Sequence, residues 1–273
     1  MPRAILTLAL VLLAAASAPA QNLEPLQRGD FDQYVLALSW QPGFCQMVHE
    51  NPRAQCDGSP PVPLECTKQP EHLNRAQYLT VHGLWPGLPD SLARRKQVTE
   101  AEWRSRGCAT AGRKYPAVAS NCKCSAPEIL LRPETLRELA VDMPGANEIS
   151  CLPDYEYSKH GVCFGFDPDI YFLTAVRLNR EIRGGTMGRF LRENYGRTVR
   201  REALLEALVP LLGPAALTQV EVRCNKGPGG DYLTEIRIPL RKDAVNAPLS
   251  PTSLGQMDVE QNCSEFRLDA RGF

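Results

Sequence analysis

The stretch Tyr155-Glu156-Tyr157-Ser158-Lys159-His160-Gly161-Val162-Cys163 gathers groups able to move protons. If it is helical, Glu156, Lys159, His160 and Cys163 fall at i, i+3, i+4 and i+7, so a carboxylate, an ammonium and an imidazole share one face. Such a face suits proton transfer beside a phosphate. A second imidazole ends the apolar run of Tyr78-Leu79-Thr80-Val81-His82-Gly83-Leu84-Trp85-Pro86. The chain has 4 histidines, and the other two, His49 and His72, lie in more polar loop sequence. A histidine alone is usually structural, and a Glu/Lys pair alone is an ordinary solvated helix face. Their conjunction is what marks a site.

Two histidines without a recognisable serine or cysteine nucleophile motif suit chemistry in which the substrate supplies its own nucleophile. One imidazole must be neutral to take a proton and the other charged to give one, each transfer contributing roughly 10² to 10⁴-fold. RNA offers such a substrate, because the ribose 2′-hydroxyl can attack the adjacent phosphorus. Charge then builds on the non-bridging oxygens, where Lys159 would stabilise it. DNA lacks the hydroxyl and is not expected to be cut.

Several elements must hold these residues. Phe31 to Trp40 is rich in aromatic and branched residues and reads as a central strand ended by Pro42-Gly43, with Cys45 anchoring a loop beyond it. Prolines, a glycine, Cys56 and Cys66 mark 51–70 as a stapled irregular loop. Tyr78 to Leu84 is the next strand, with His82 near its end before a Trp85-Pro86-Gly87 turn. Asp90 to Gly107 is charged and partly helical, and Cys108, Cys122 and Cys124 fall in a second cysteine-rich loop. Pro133 starts a helix that runs to Pro144. Asp167-Pro168 starts another, with Phe172, Leu173 and Val176 as its apolar face. Thr198 is the expected cap of a further helix carrying Leu204, Leu205 and Leu208. Leu217 to Cys224 and Tyr232 to Leu240 alternate as strands across a Lys226-Gly227-Pro228-Gly229-Gly230 connection.

Arg3, the apolar run Ile5 to Ala16 and Ala18-Pro19-Ala20 have the pattern of a signal peptide over residues 1–20, leaving 253 of the 273 residues as one expected domain, 21–273. All 10 cysteines lie in that part, which implies disulfides in an oxidising compartment, periplasmic or secreted. The 31 basic and 31 acidic residues become 30 and 31 without Arg3. A net charge near −1 excludes a global basic field, so a nucleic acid must be held by a local basic site. No later stretch is long and apolar enough for a membrane span. Cys122-Lys123-Cys124 lacks the second close pair that a metal site needs, so no metal or cofactor is expected. Cys163 is expected to pin the histidine segment to a loop cysteine such as Cys108 or Cys124, and Cys224 with Cys263 to close the C-terminal end. Asn262-Cys263-Ser264 is a formal glycosylation sequon made a poor acceptor by its central cysteine.

Thr80-Val81-His82-Gly83-Leu84-Trp85-Pro86 and Glu156-Tyr157-Ser158-Lys159-His160-Gly161-Val162-Cys163 resemble the two active-site boxes of the ribonuclease T2 family of endoribonucleases. Phe31 to Cys45 resembles that family's first core strand. Cys163 to Phe172 and Asn246-Ala247-Pro248-Leu249-Ser250 are similar to its bacterial periplasmic, ribonuclease I-like branch. The resemblance implies an α+β fold, here a central antiparallel sheet with flanking helices stapled by disulfides. It also implies metal-independent cleavage of single-stranded RNA through a 2′,3′-cyclic phosphate, with low base specificity. His160 would be the general base, His82 the general acid, and Glu156 with Lys159 the stabilisers of the transition state. Trp85 would line the substrate site. The family often has histidine before the glutamate and tryptophan after it, where this chain has Tyr155 and Tyr157, so Tyr155 stands where a phosphate ligand would be. The expected partner is RNA, and the chain is expected to act as a monomer. The competing expectation is a catalytically inactive, disulfide-rich RNA-binding protein.

Overall fold

The computed structural model describes residues 21–56, 58, 60–67 and 78–268. The expected signal peptide and His72 lie outside these. Strand β1 (Gln33–Trp40) is central, pairing antiparallel with β2 (Leu79–Pro86) on one side and β5 (Gly230–Arg241) on the other. β5 also carries β4 (Glu221–Gly227) as an antiparallel hairpin partner. The short strands β3 (Thr198–Arg200) and β6 (Glu265–Arg267) pair antiparallel, and β6 meets β5 through one parallel pair, Tyr232 with Arg267. The fold is α+β, with helices flanking this mostly antiparallel sheet.

The strand period of two gives the sheet two faces. Tyr34, Leu36, Leu38 and Trp40 of β1 lie on one face in register with Ile236, Ile238 and Leu240 of β5 and with Leu79, Val81 and Leu84 of β2, and nearly all are fully buried. The opposite face carries Ala37 and Ser39 of β1, Glu235 and Arg237 of β5, and Gly83 and Trp85 of β2. β2 reaches this arrangement through a β-bulge. Ala37 pairs with Gly83 and Leu38 with Val81, so His82 is the extra, unpaired residue. Without it Leu84 would leave the core face and Trp85 would enter it.

Helix α1 (Gln41–Glu50) follows β1 directly, so Cys45 sits in a helix and not in the expected loop. Pro42 is in its first turn, where its missing N–H costs nothing. β2 continues through Trp85 and Pro86, which are strand residues and not a turn. Helices α2 (Asp90–Lys96) and α3 (Glu100–Arg106) fill the charged region, the latter closed by a Thr99/Glu102 capping box. α4 (Pro133–Asp142) starts at its proline as expected. α5 (Leu152–His160) stops at the second histidine, so Cys163 belongs to the following turn and not to the same helical face.

α6 (Pro168–Gly184) is capped by Asp167, whose side chain accepts from the Ile170 N–H at 3.0 Å. Tyr171, Phe172, Ala175, Val176, Leu178 and Ile182 are its buried apolar residues, so Phe172 and Val176 lie on the buried face as expected, while Leu173 is only half-buried. α7 (Thr186–Asn194) precedes β3. Thr198 heads that strand and caps nothing; α8 (Arg201–Glu206) starts after Arg200. Two short helices, α9 (Val209–Leu212) and α10 (Ala216–Gln219), lead into β4, which begins at Glu221 and not at Leu217.

The ten cysteines form five disulfides: Cys45–Cys66, Cys56–Cys122, Cys108–Cys163, Cys124–Cys151 and Cys224–Cys263. Cys122 and Cys124 are both consumed, which removes the metal reading of that pair. Among the described residues no cluster of His, Cys, Asp and Glu could hold a metal, and no helix is long and apolar enough to cross a membrane. The Asn262 side chain bonds the Cys224 backbone at both ends, accepting at 2.9 Å and donating at 2.8 Å, so the sequon amide is already engaged.

Candidate active site

α5 and β2 meet at Glu156. Its side chain is 1% exposed, and the Trp85 indole N–H donates to its Oε2 at 2.7 Å. His82 Nε2 lies 3.5 Å from Oε1, and His160 Nε2 lies 4.0 Å from Oε2. Two imidazoles 78 residues apart in sequence therefore address one buried carboxylate. Trp85 joins them: its ring stacks on His160 at 5.3 Å and 25°, and it meets His82 edge-on at 5.3 Å and 80°. Gly83 makes the approach possible, because a Cβ there would stand 2.2 Å from Glu156 Oε2 and 2.4 Å from Trp85 Nε1.

The expected residues fall into different positions. His82 keeps 32% of its side chain exposed, while His160 keeps 7%. His160 Nδ1 is buried and has no hydrogen-bond partner among the described residues. Lys159 is half-buried, and its Nζ lies 3.5 Å from the Tyr155 hydroxyl and 5.7 Å from the centre of that ring. Tyr155 is buried beneath it, and burial together with the Glu156 charge pushes its hydroxyl to about 12. Gly107, in the left-handed region at φ +50°, backs onto the Lys159 carbonyl so closely that a Cβ would sit 2.1 Å from it. The Cys108–Cys163 disulfide ties that same segment to the turn after His160.

The electrostatics separate the two imidazoles. Burial, then the Lys159 and His82 charges, hold His160 well below the usual histidine range. Burial also lowers His82, but Glu156 and Glu235 outweigh it and the net shift is upward. Burial raises the Glu156 carboxyl against the opposing pull of His82, the Trp85 N–H and Lys159. The arrangement drives the proton affinities of the two imidazoles apart beside the same carboxylate, the direction that taking one proton and giving another requires.

β5 adds two residues that the sequence reading did not single out. Glu235 Oε2 lies 2.6 Å from His82 Nδ1, and the Arg237 Nε–H donates to Glu235 Oε1 at 2.5 Å. Arg237 also places its guanidinium 5.3 Å from the Trp85 ring centre. The available signal was alternation: in Thr234-Glu235-Ile236-Arg237-Ile238 two opposite charges share one strand face while isoleucines fill the other.

The model of the Ribonuclease T2 family matches residues 31–263. The chain belongs to the Ribonuclease T2 family. This family member is 47% identical over 268 residues to "Ribonuclease I" of Escherichia coli (strain K12), covering 97% of this chain and 96% of that protein. It is an endoribonuclease, and its substrate is RNA. Among solved structures, a mutant of RNase MC1, a ribonuclease from bitter gourd seeds, in complex with 5′-GMP superposes with a TM-score of 0.51. That match has 18% identity and covers 86% of this chain and 99% of the other. A second mutant of that protein, in complex with 5′-UMP, gives 0.50 at 18% identity over 87% and 98%. At that identity the likeness shows a shared fold.

Proposed function

We propose that this chain cleaves single-stranded RNA by transphosphorylation, with His160 as general base and His82 as general acid. His160 takes the proton of the ribose 2′-hydroxyl. The 2′-oxygen bonds to phosphorus as the bond to the 5′-oxygen breaks, and His82 gives its Nε2 proton to that leaving oxygen. A 2′,3′-cyclic phosphate and a 5′-hydroxyl result. In hydrolysis of the cyclic product the histidines exchange roles, with water as the nucleophile.

Lys159 offsets the charge on the non-bridging oxygens, and Glu156 supports the same transition state by holding both imidazoles and the Trp85 indole around it. Trp85, half-buried against His160 and the Arg237 guanidinium, lines the substrate site. Tyr155 acts on the substrate side by supporting the Lys159 ammonium. The observation that carries this reading is that both imidazoles meet one buried carboxylate while their proton affinities are driven apart.

The apolar run behind Arg3 and five disulfides support export to the periplasm or the medium, where the chain acts as a monomer of one domain, 21–273. His82→Ala and His160→Ala are each expected to abolish RNA cleavage without unfolding the protein, with cyclic-phosphate ends from the parent enzyme, no cleavage of DNA and no effect of EDTA. Retention of most activity in either variant refutes the role given to that residue.

A further inference from the structure

The shortest polar contact made to either imidazole comes from Glu235, at 2.6 Å. We propose that Glu235 is the positioning residue of the general acid: it accepts from His82 Nδ1–H, leaving the transferable proton on Nε2, and Arg237 holds it in that pose. The inference rests on the reading of His82 as the acid.

The two oxygens of the Glu235 carboxylate are divided. Oε1 takes the Arg237 Nε–H and Oε2 faces the imidazole, so the group cannot swing without breaking a charge-assisted bond on each side. Arg237 is fixed in turn, since its Nη1 reaches Glu221 Oε2 at 3.3 Å and Glu221 Oε1 accepts from Arg223 at 3.0 Å. The β4/β5 register places Glu221 opposite Arg237 and Arg223 opposite Glu235, so the four charges alternate on one sheet face. A second bulge, at Thr234, precedes Glu235 in the same way that His82 forms the bulge of β2. A charge ladder serving the β4/β5 pair alone would end on those two strands. This one reaches across the sheet to the unpaired bulge residue of β2, whose imidazole is 32% exposed.

The same geometry sets the proton inventory of His82. Lys123 of the turn 123–125 is the cationic group that disfavours the imidazolium, and His160 of α5 is the cation-forming group that feels the His82 charge in turn. Glu156 and Glu235 are the two carboxylates that favour it. Glu156 is committed to Trp85 and lies farther away, so Glu235 supplies the hydrogen bond that selects the tautomer. The Arg237 guanidinium beside Trp85 links that arrangement to the other half of the site.

The test compares parent enzyme, Glu235→Gln and His82→Ala on two substrates, a dinucleoside phosphate and a nucleoside 3′-(4-nitrophenyl phosphate), whose leaving group departs without a proton. Glu235→Gln is expected to lower kcat on the dinucleoside by roughly tenfold or more, with KM changed by less than about threefold, and to shift the alkaline limb of the pH profile to lower pH. On the nitrophenyl ester the defect should shrink to within about threefold, as it should for His82→Ala. Glu235→Asp, which keeps the charge, is expected to leave the alkaline limb near its parent position. Equal losses on both substrates, an unmoved limb in Glu235→Gln, or a limb displaced equally in Glu235→Asp overturns the proposal while the acid assignment stands. Retention of most activity by His82→Ala on the dinucleoside phosphate overturns the acid assignment itself.

Discussion

Gly83→Ala tests the close approach on which the site is built. The added Cβ would stand 2.2 Å from Glu156 Oε2 and 2.4 Å from Trp85 Nε1, against about 3.4 Å for an ordinary contact. Neither neighbour has room to yield. The carboxylate is 1% exposed and is joined to the indole by the 2.7 Å hydrogen bond that the methyl would split. Overpacking costs about 1–3 kcal/mol. Loss of a hydrogen bond to a buried charged group adds about 1.5–3 kcal/mol. The two together reach about 2.5–6 kcal/mol, and for a chain of this size about 2.5 kcal/mol already lowers Tm by roughly 5–10 °C. A displacement of about 1 Å at Glu156 should also reduce kcat by about 10²-fold. Calorimetry and RNA cleavage on the same sample check both. A Tm within about 2 °C of the parent with kcat within about threefold would refute the claim that Gly83 is the notch in which carboxylate and indole meet.

Three further outcomes follow from the same geometry. Lys159→Ala should lower kcat by about 10²–10³-fold with the fold intact, read by single-turnover cleavage and circular dichroism. The histidines should give stability opposite pH slopes, measured by urea unfolding across pH 5 to 8. His160, depressed in the folded state, lets the unfolded chain bind the extra proton as pH falls below about 6.5, so stability drops there and His160→Gln should flatten the loss. His82, raised in the folded state, contributes stability that is full below about 6.5 and fades as pH rises through its folded value, so His82→Gln should flatten the alkaline side. Replacing both Cys108 and Cys163 by alanine should cost about 2–5 kcal/mol and lower activity as well, because that bridge fixes the turn beyond His160.

Residue type and local spacing were enough to identify the pieces of this molecule. The branched and aromatic runs marked β1 and β2, Pro133 and Asp167-Pro168 marked helix starts, and the boxes around His82 and His160 named the imidazoles, the carboxylate and the ammonium. These are short-range signals, carried by side-chain periodicity and by proline's fixed φ. Boundaries set by neighbours were not legible. Pro42-Gly43 reads as a strand end in isolation, yet the chain turns there into α1; Thr198 reads as a helix cap, yet pairing with Arg267 draws it into a strand. The bulge at His82 leaves no local mark, because it exists only in the register against Ala37 and Leu38.

The chemistry divides in the same way. The sequence by itself determined that this chain owns two histidines, a glutamate and a lysine suited to moving protons beside a phosphate. Only the tertiary structure decided which imidazole has its proton affinity lowered and which has it raised, since that depends on burial at His160 and, at His82, on Glu156 and on Glu235, a carboxylate 153 residues away. A pKa is set by what lies within a few ångströms in space, and chain order does not encode it.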